Sequence, residues 1–196
     1  FAHFTSLIVD GGVLFVKKSI QLEPRTSDKV TIYTYSGSEQ ADFYADNIRL
    51  GGGRLVFDFV TPEERIADVE LGVPVMINVE NAVAASAIAL TYGLAPEKVR
   101  DALASFRGVK RRFDIHLNTT ECSYIDDYAH HPKEISAAVS SIRDIFPGRK
   151  LTAIFQPHLY TRTRDFAEEF AEALSKVDKL ILLDIYPARE EPIPGV

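Results

Sequence analysis

Leu151-Thr152-Ala153-Ile154-Phe155 and, further on, Lys179-Leu180-Ile181-Leu182-Leu183 are two runs that stay apolar almost without interruption. A strand that alternates apolar with polar residues leaves one face in water, whereas a run with no alternation is what a parallel strand covered by helices on both faces requires. Between the two runs Thr163 to Val177 reads as a helix, and ahead of them Pro132 to Phe146 reads as another. Helix and strand taking turns predict an α/β fold for the second half of the chain.

Working back from there, Phe113 to Asn118 and Cys122 to Tyr128 read as two further β stretches, preceded by the basic run Arg107, Lys110, Arg111 and Arg112. The texture changes at Gly108 to Lys110, which places a domain boundary there. Earlier still, Val79, Val83, Ala87 and Leu90 recur at helical spacing, with Asn78 as the expected N-cap and Gly93 just past the end. A second helix follows, starting at Pro96, with Val99, Leu103 and Phe106 as its apolar face and Gly108 closing it. The first 60 residues are strand-rich: Val13 to Val16, Val30 to Tyr35, and then Asp42 to Arg49 and Arg54 to Val60, which alternate as a hairpin does and are joined by Gly51-Gly52-Gly53.

The 196 residues carry 22 Lys+Arg against 28 Asp+Glu, a net charge of −6, and 46% are hydrophobic. That balance suits a globular chain of one large or two small domains, and it opposes a nucleic-acid binder, which needs a basic face to displace counterions. The longest apolar stretches are far shorter than the roughly 20 residues that cross a bilayer, so no membrane partner is expected. A single cysteine, Cys122, excludes an internal disulfide framework and suits the reducing cytoplasm. The chain starts at Phe1, and Pro192-Ile193-Pro194-Gly195-Val196 ends it without a helical or strand signal; a piece of a longer protein is expected.

Two clusters concentrate the chemistry. Asp126-Asp127-Tyr128-Ala129-His130-His131-Pro132 lies where an apolar strand gives way to a helix, and in parallel α/β sheets ligands bind beyond the carboxyl ends of strands. Its carboxylates and imidazoles suit a divalent metal, or helix capping with the remainder in solvent, or contacts to a ribose and an anionic oxygen. Phe155-Gln156-Pro157-His158-Leu159-Tyr160-Thr161-Arg162-Thr163-Arg164 repeats the arrangement one strand later. An arginine fork matches a carboxylate or phosphate bidentately, and the alternative is that Arg162 and Arg164 pair with Asp165, Glu168 or Glu169 on the helix surface. Asn78 and Asn81 could read a base edge or simply cap. No Gly-rich phosphate loop of the GxxxxGK[ST] form occurs.

In order and spacing, Asn78-Val79-Glu80-Asn81-Ala82-Val83-Ala84-Ala85, Gly108-Val109-Lys110-Arg111-Arg112-Phe113, the Asp126 to Pro132 cluster and Phe155-Gln156-Pro157-His158 together resemble the Mur ligase family, from about Tyr33 to the end. The resemblance implies an ATP- and Mg2+-dependent amide ligase of peptidoglycan synthesis, a cytoplasmic enzyme with UDP-N-acetylmuramate and L-alanine as substrates. Residues 1–108 would then be the later part of a central ATP-binding domain, and 109–196 a truncated Rossmann-like C-terminal domain. Most magnesium ligands would lie upstream of Phe1. By the same resemblance, Asn78 and Asn81 would sit beside the adenine, Arg112 near the nucleotide phosphates and Asp127 on the ribose, while His130, His158 and Arg162 would face the substrates. Ile77 and Leu159 stand where the family usually has His and Arg.

Making an amide from a carboxylate needs activation, and ATP supplies it through an acyl phosphate, so arginines and helix ends are needed rather than a protein nucleophile. Three rival expectations are a murein-tripeptide recycling ligase of the same family, a non-catalytic nucleotide-binding module, and a metal-dependent hydrolase on Asp126, Asp127, His130 and His131. A hinge near Gly108 to Lys110 would let a ligase open for its substrates and close over an acyl phosphate.

Overall fold

The structure is a computed structural model and describes residues 1–51 and 53–196. It divides into two compact units, Phe1–Arg107 and Gly108–Val196. In the first, a single turn α1 (Ala2–Thr5) leads to β1 (Val13–Lys17), β2 (Thr31–Ser36), β3 (Phe43–Gly51), β4 (Arg54–Val60) and β5 (Arg65–Leu71), followed by α2 (Met76–Thr91) and α3 (Pro96–Ser105). The five strands lie in chain order in one sheet. β1, β2 and β3 run parallel, while β3, β4 and β5 pair antiparallel. The hairpin predicted from the alternation of Asp42 to Arg49 and Arg54 to Val60 is β3 and β4; Gly52 of its turn lies outside the described residues.

Alternation explains the core of this unit. Leu55, Phe57 and Phe59 of β4 point to the same face of the sheet, are essentially inaccessible, and meet Val79, Val83 and Ala87 of α2. On the other face of β4, Asp58 is buried as well. It accepts hydrogen bonds from Arg49, Arg65, the Asn47 side chain and the Asp68 backbone, so a buried charge is paired rather than stranded. The ladder slips between Asp46 and Arg49 and again between Phe57 and Phe59, and Asn47 and Asp68 take positive φ there. Gly72 fits because β5 ends against α3: its N–H donates to the Leu103 carbonyl, and any side chain on it would run into the Phe106 carbonyl.

Three expectations for this unit need correction. β5 has alternating burial but contains Asp68 and Glu70 between apolar positions, and it escaped the sequence reading. Asn78 is not the N-cap of α2, since the helix begins at Met76 after an extended Val75, and the Asn78 side chain donates instead to the Val73 carbonyl. Phe106 is not on a helical face: it takes an extended conformation at the end of α3 and is half exposed, so the chain has left the helix before Gly108.

The second unit opens with an antiparallel ribbon, β6 (Asp114–Asn118) and β7 (Ser123–Asp126). Then come α4 (Pro132–Ile145), β8 (Thr152–Phe155), α5 (Tyr160–Asp165), α6 (Ala167–Leu174) and β9 (Lys179–Leu182), with β8 and β9 parallel. The α/β alternation is as the sequence predicts. Ile135 and Val139 of α4 and Phe170, Ala173 and Leu174 of α6 form the core with Leu151, Phe155 and Val177. Asp178 pins this arrangement by accepting from the Leu151 amide and from Arg143. The expected cover on both faces of the strands is not found among the described residues: Ile154 is 65% and Leu182 61% exposed, because α4 and α6 pack on one side only. The expected helix from Thr163 to Val177 is also two helices. It starts earlier, at Tyr160, and breaks at Phe166, which leaves helical geometry and sets its ring edge-on to His131.

Candidate functional site

The polar clusters of the second unit lie just beyond the carboxyl ends of β7 and β8. Beyond β7 the chain turns sharply into α4. Both Asp127 oxygens accept backbone amides, Phe113 N–H at 2.7 Å and Ala129 N–H at 2.8 Å. Asp127 therefore ties the segment after Arg112 to the β7 exit, where Phe113 is buried with φ 51°. His131 caps α4 by accepting the Lys133 amide, and Glu134 closes the capping box by accepting the His130 and His131 amides. The His130 amide first, and after the opposing effect of burial the His130 imidazole, the His131 amide and the Arg112 charge, hold the Glu134 carboxyl below the usual range. His130 Nδ1 lies 2.9 Å from the Tyr128 carbonyl and 3.4 Å from a Glu134 carboxylate oxygen.

Arg111 lies over the Tyr128 ring with its guanidinium carbon 4.6 Å from the centroid, Arg112 lies 5.9 Å from the same ring, and His130 meets it edge-on. Tyr128 is thus the hub of a cationic and aromatic group. The sequence quotes it within a motif but gives it no role, and only the folded ring position reveals it. Asp126 sits 3.9 Å from Arg111. No group of three potential metal-binding side chains occurs among the described residues.

Beyond β8, Gln156 donates to the Asp184 carbonyl and the chain enters α5 through Leu159, whose φ of 72° is rare for a branched side chain. The two arginines here behave differently. Arg164 pairs with Asp165 at 2.8 Å, the surface reading; Arg162 has no ion-pair partner among the described residues, and its Nη1 is buried without a hydrogen bond. His158 Nδ1 is likewise buried and unpartnered, with its ring stacked on Tyr186. These two unpartnered nitrogens lie four residues apart at the entry to one helix, whereas most buried polar groups are satisfied. The segment after β9 completes this corner, and its position could have been foreseen from the rule that placed the other two.

In the first unit, Asn78 is half buried and Asn81 exposed on the first turns of α2, three residues apart and so on one side of the helix.

The second unit presents polar groups beyond its strand ends, the place where α/β proteins bind ligands. Residues 111–194 match the Mur ligase, glutamate ligase domain, and the whole chain is similar to ligases that carry it. The UDP-N-acetylmuramate–L-alanine ligase of Parabacteroides distasonis is 59% identical over the whole chain, which spans 42% of that protein. The ligase of the same name from Porphyromonas gingivalis W83 is 52% identical, with 43% of its length covered. The chain thus spans less than half the length of these curated relatives. A crystal structure of the UDP-N-acetylmuramate-alanine ligase MurC from Thermotoga maritima superposes with a TM-score of 0.68 at 30% identity, covering 79% of this chain and 34% of that one. A folylpolyglutamate synthetase from Lactobacillus casei shares the fold at 16% identity, with a TM-score of 0.71 over 98% of this chain and 47% of its own.

Proposed function

We propose that the chain is the later part of an ATP-dependent ligase that joins L-alanine to UDP-N-acetylmuramate in the cytoplasmic stage of peptidoglycan synthesis. The first unit would be the later part of its central ATP-binding domain, and the second its C-terminal domain. The buried, unpartnered pair His158 Nδ1 and Arg162 Nη1 carries this reading, in a chain whose whole length is similar to ligases with those substrates in their names. ATP would supply the phosphoryl group that activates the sugar carboxylate. The residues of this chain position anions. Arg162 would clamp the carboxylate of the incoming amino acid, His158 would donate to an anionic oxygen beside it, and His130 would hold or accept a proton. Arg112, exposed and without an ion-pair partner among the described residues, would neutralise nucleotide phosphates, with Asp127 toward the ribose and Asn78 and Asn81 toward the base. Magnesium ligands are not assigned to these residues.

The test is phosphate release by the source protein produced at the length of its relatives. Release that needs ATP, UDP-N-acetylmuramate and L-alanine together supports the reading, and release with a murein tripeptide in place of L-alanine, or none at all, refutes it. Residues 1–196 alone should turn nothing over, because proximity supplies on the order of 7 to 11 kcal/mol to such a reaction and these residues include no phosphate loop.

A further inference from the structure

We infer that Glu190 is a positioning residue that holds the His158–Arg162 corner in its ligand-ready geometry; this deepens the proposed function and rests on its reading of Arg162. Glu190 lies beyond the end of β9, on a segment that runs back along the exit of β8. Tyr186 N–H donates to the Pro157 carbonyl at 2.8 Å, and Leu159 N–H donates to the Tyr186 carbonyl at 3.0 Å. Together these make a short parallel bridge between His158 and Tyr186 and bring their rings to a stacked 5.5 Å. After a turn at Pro187, the Glu190 carboxylate takes both donors of one residue at the start of α5: the Thr161 amide at 3.0 Å and the Thr161 hydroxyl.

Glu190 does not pair with either neighbouring arginine among the described residues, although the charges of both are felt nearby. A carboxylate that clasped Arg162 would occupy the fork that the ligand needs. One that clasps Thr161 instead fixes the helix start immediately before Arg162 and leaves the guanidinium unpartnered. The Thr161 hydroxyl, then the Thr161 amide, keep this carboxyl below the usual range despite some burial, so it stays ionised while it does so. The same clasp supports Leu159, whose φ of 72° and ψ of 132° are held from outside rather than preferred. Thr163 adds a grip from within the helix, its amide and hydroxyl both donating to the Leu159 carbonyl.

The test uses Glu190→Ala, Glu190→Gln, Thr161→Val, Arg162→Ala and the double variant Glu190→Ala/Arg162→Ala in the relative-length ligase, with thermal melting of each. Glu190→Ala should raise the KM for L-alanine about ten-fold, the scale of a lost charge-assisted contact, and leave the KM for ATP within about two-fold. Thr161→Val should follow it in the same direction, and Glu190→Gln, whose amide oxygen still accepts from Thr161, should recover part of the loss. In the Arg162→Ala background, removing Glu190 should cost nothing more, because its effect passes through Arg162. An unchanged KM for L-alanine in Glu190→Ala, or a loss that adds fully to that of Arg162→Ala, overturns the inference. If Arg162→Ala itself leaves the KM for L-alanine unchanged, the proposed anion site has failed instead. Should Glu190→Ala melt before it can be assayed, Thr161→Val decides: a wild-type KM for L-alanine in that variant refutes the positioning role.

Discussion

Replacing Arg162 with methionine should make the protein more stable and the ligase worse. The Nη1 group of Arg162 is buried without a hydrogen-bond partner, and a buried donor left unsatisfied costs about 1 to 3 kcal/mol. Methionine keeps an unbranched apolar stem and has nearly the same helix propensity, so the packing of the side chain along α5 survives while the orphaned group goes. A gain of about 1 kcal/mol shifts the melting temperature of a domain of this size by about 4 to 8 °C, so the second unit should melt several degrees higher. In the relative-length enzyme the same change removes a charge-assisted, bidentate contact worth about 1.5 to 3 kcal/mol, or about ten- to a hundred-fold in kcat/KM for L-alanine. Arg162→Lys separates the two effects, because it keeps the charge but loses the planar fork: near wild-type stability with a substantial loss of turnover. Circular dichroism melting of residues 1–196 and steady-state kinetics of the longer enzyme are the assays. A melting temperature that falls by several degrees in Arg162→Met would show that the guanidinium is an anchor of the fold, and an unchanged kcat/KM would remove it from the site.

Arg112→Ala should weaken ATP by about ten-fold or more with little change in melting, whereas Asp127→Ala should also cost about 1 to 2 kcal/mol of stability, because it frees the Phe113 and Ala129 amides; isothermal titration with ATP and thermal melting separate the two. Asp58→Ala should destabilise the first unit by about 1 to 3 kcal/mol, toward the lower end because Arg49 and Arg65 keep half their surface in water. Burial pushes the Asp58 carboxyl up, but the Asp68 amide, Asn47, Arg65 and Arg49 outweigh it, so its folded pKa lies below the ordinary value. The stability it adds is present above the ordinary carboxylate pKa and is lost as pH falls through the lower folded value. Acid titration of melting should therefore show a shallower decline in Asp58→Asn than in the wild type, and identical slopes would count against the network.

Period and punctuation alone were enough for much of the molecule. The apolar runs at Leu151 and Lys179, the alternation across Gly51 to Gly53 and the Pro96 helix start are local signals, set by which side chains can share a face, and each became the element it predicts. The polar clusters beyond β7 and β8 were legible for the same reason, as was the family resemblance from their order. What the sequence could not decide depends on contacts between segments far apart in the chain. β5 escaped because its neighbours β4 and α3 make it a strand despite Asp68 and Glu70; the helix expected from Thr163 breaks because Phe166 packs on His131, thirty-five residues earlier in the numbering. The roles of the two arginines looked alike in sequence, and only burial separates Arg164, satisfied by Asp165, from Arg162, left without a partner. Likewise nothing in the local pattern joins Glu190 to Thr161. Side-chain periodicity is a property of one element, whereas satisfaction of a buried polar group is a property of everything packed around it, and that exists only once the chain has folded.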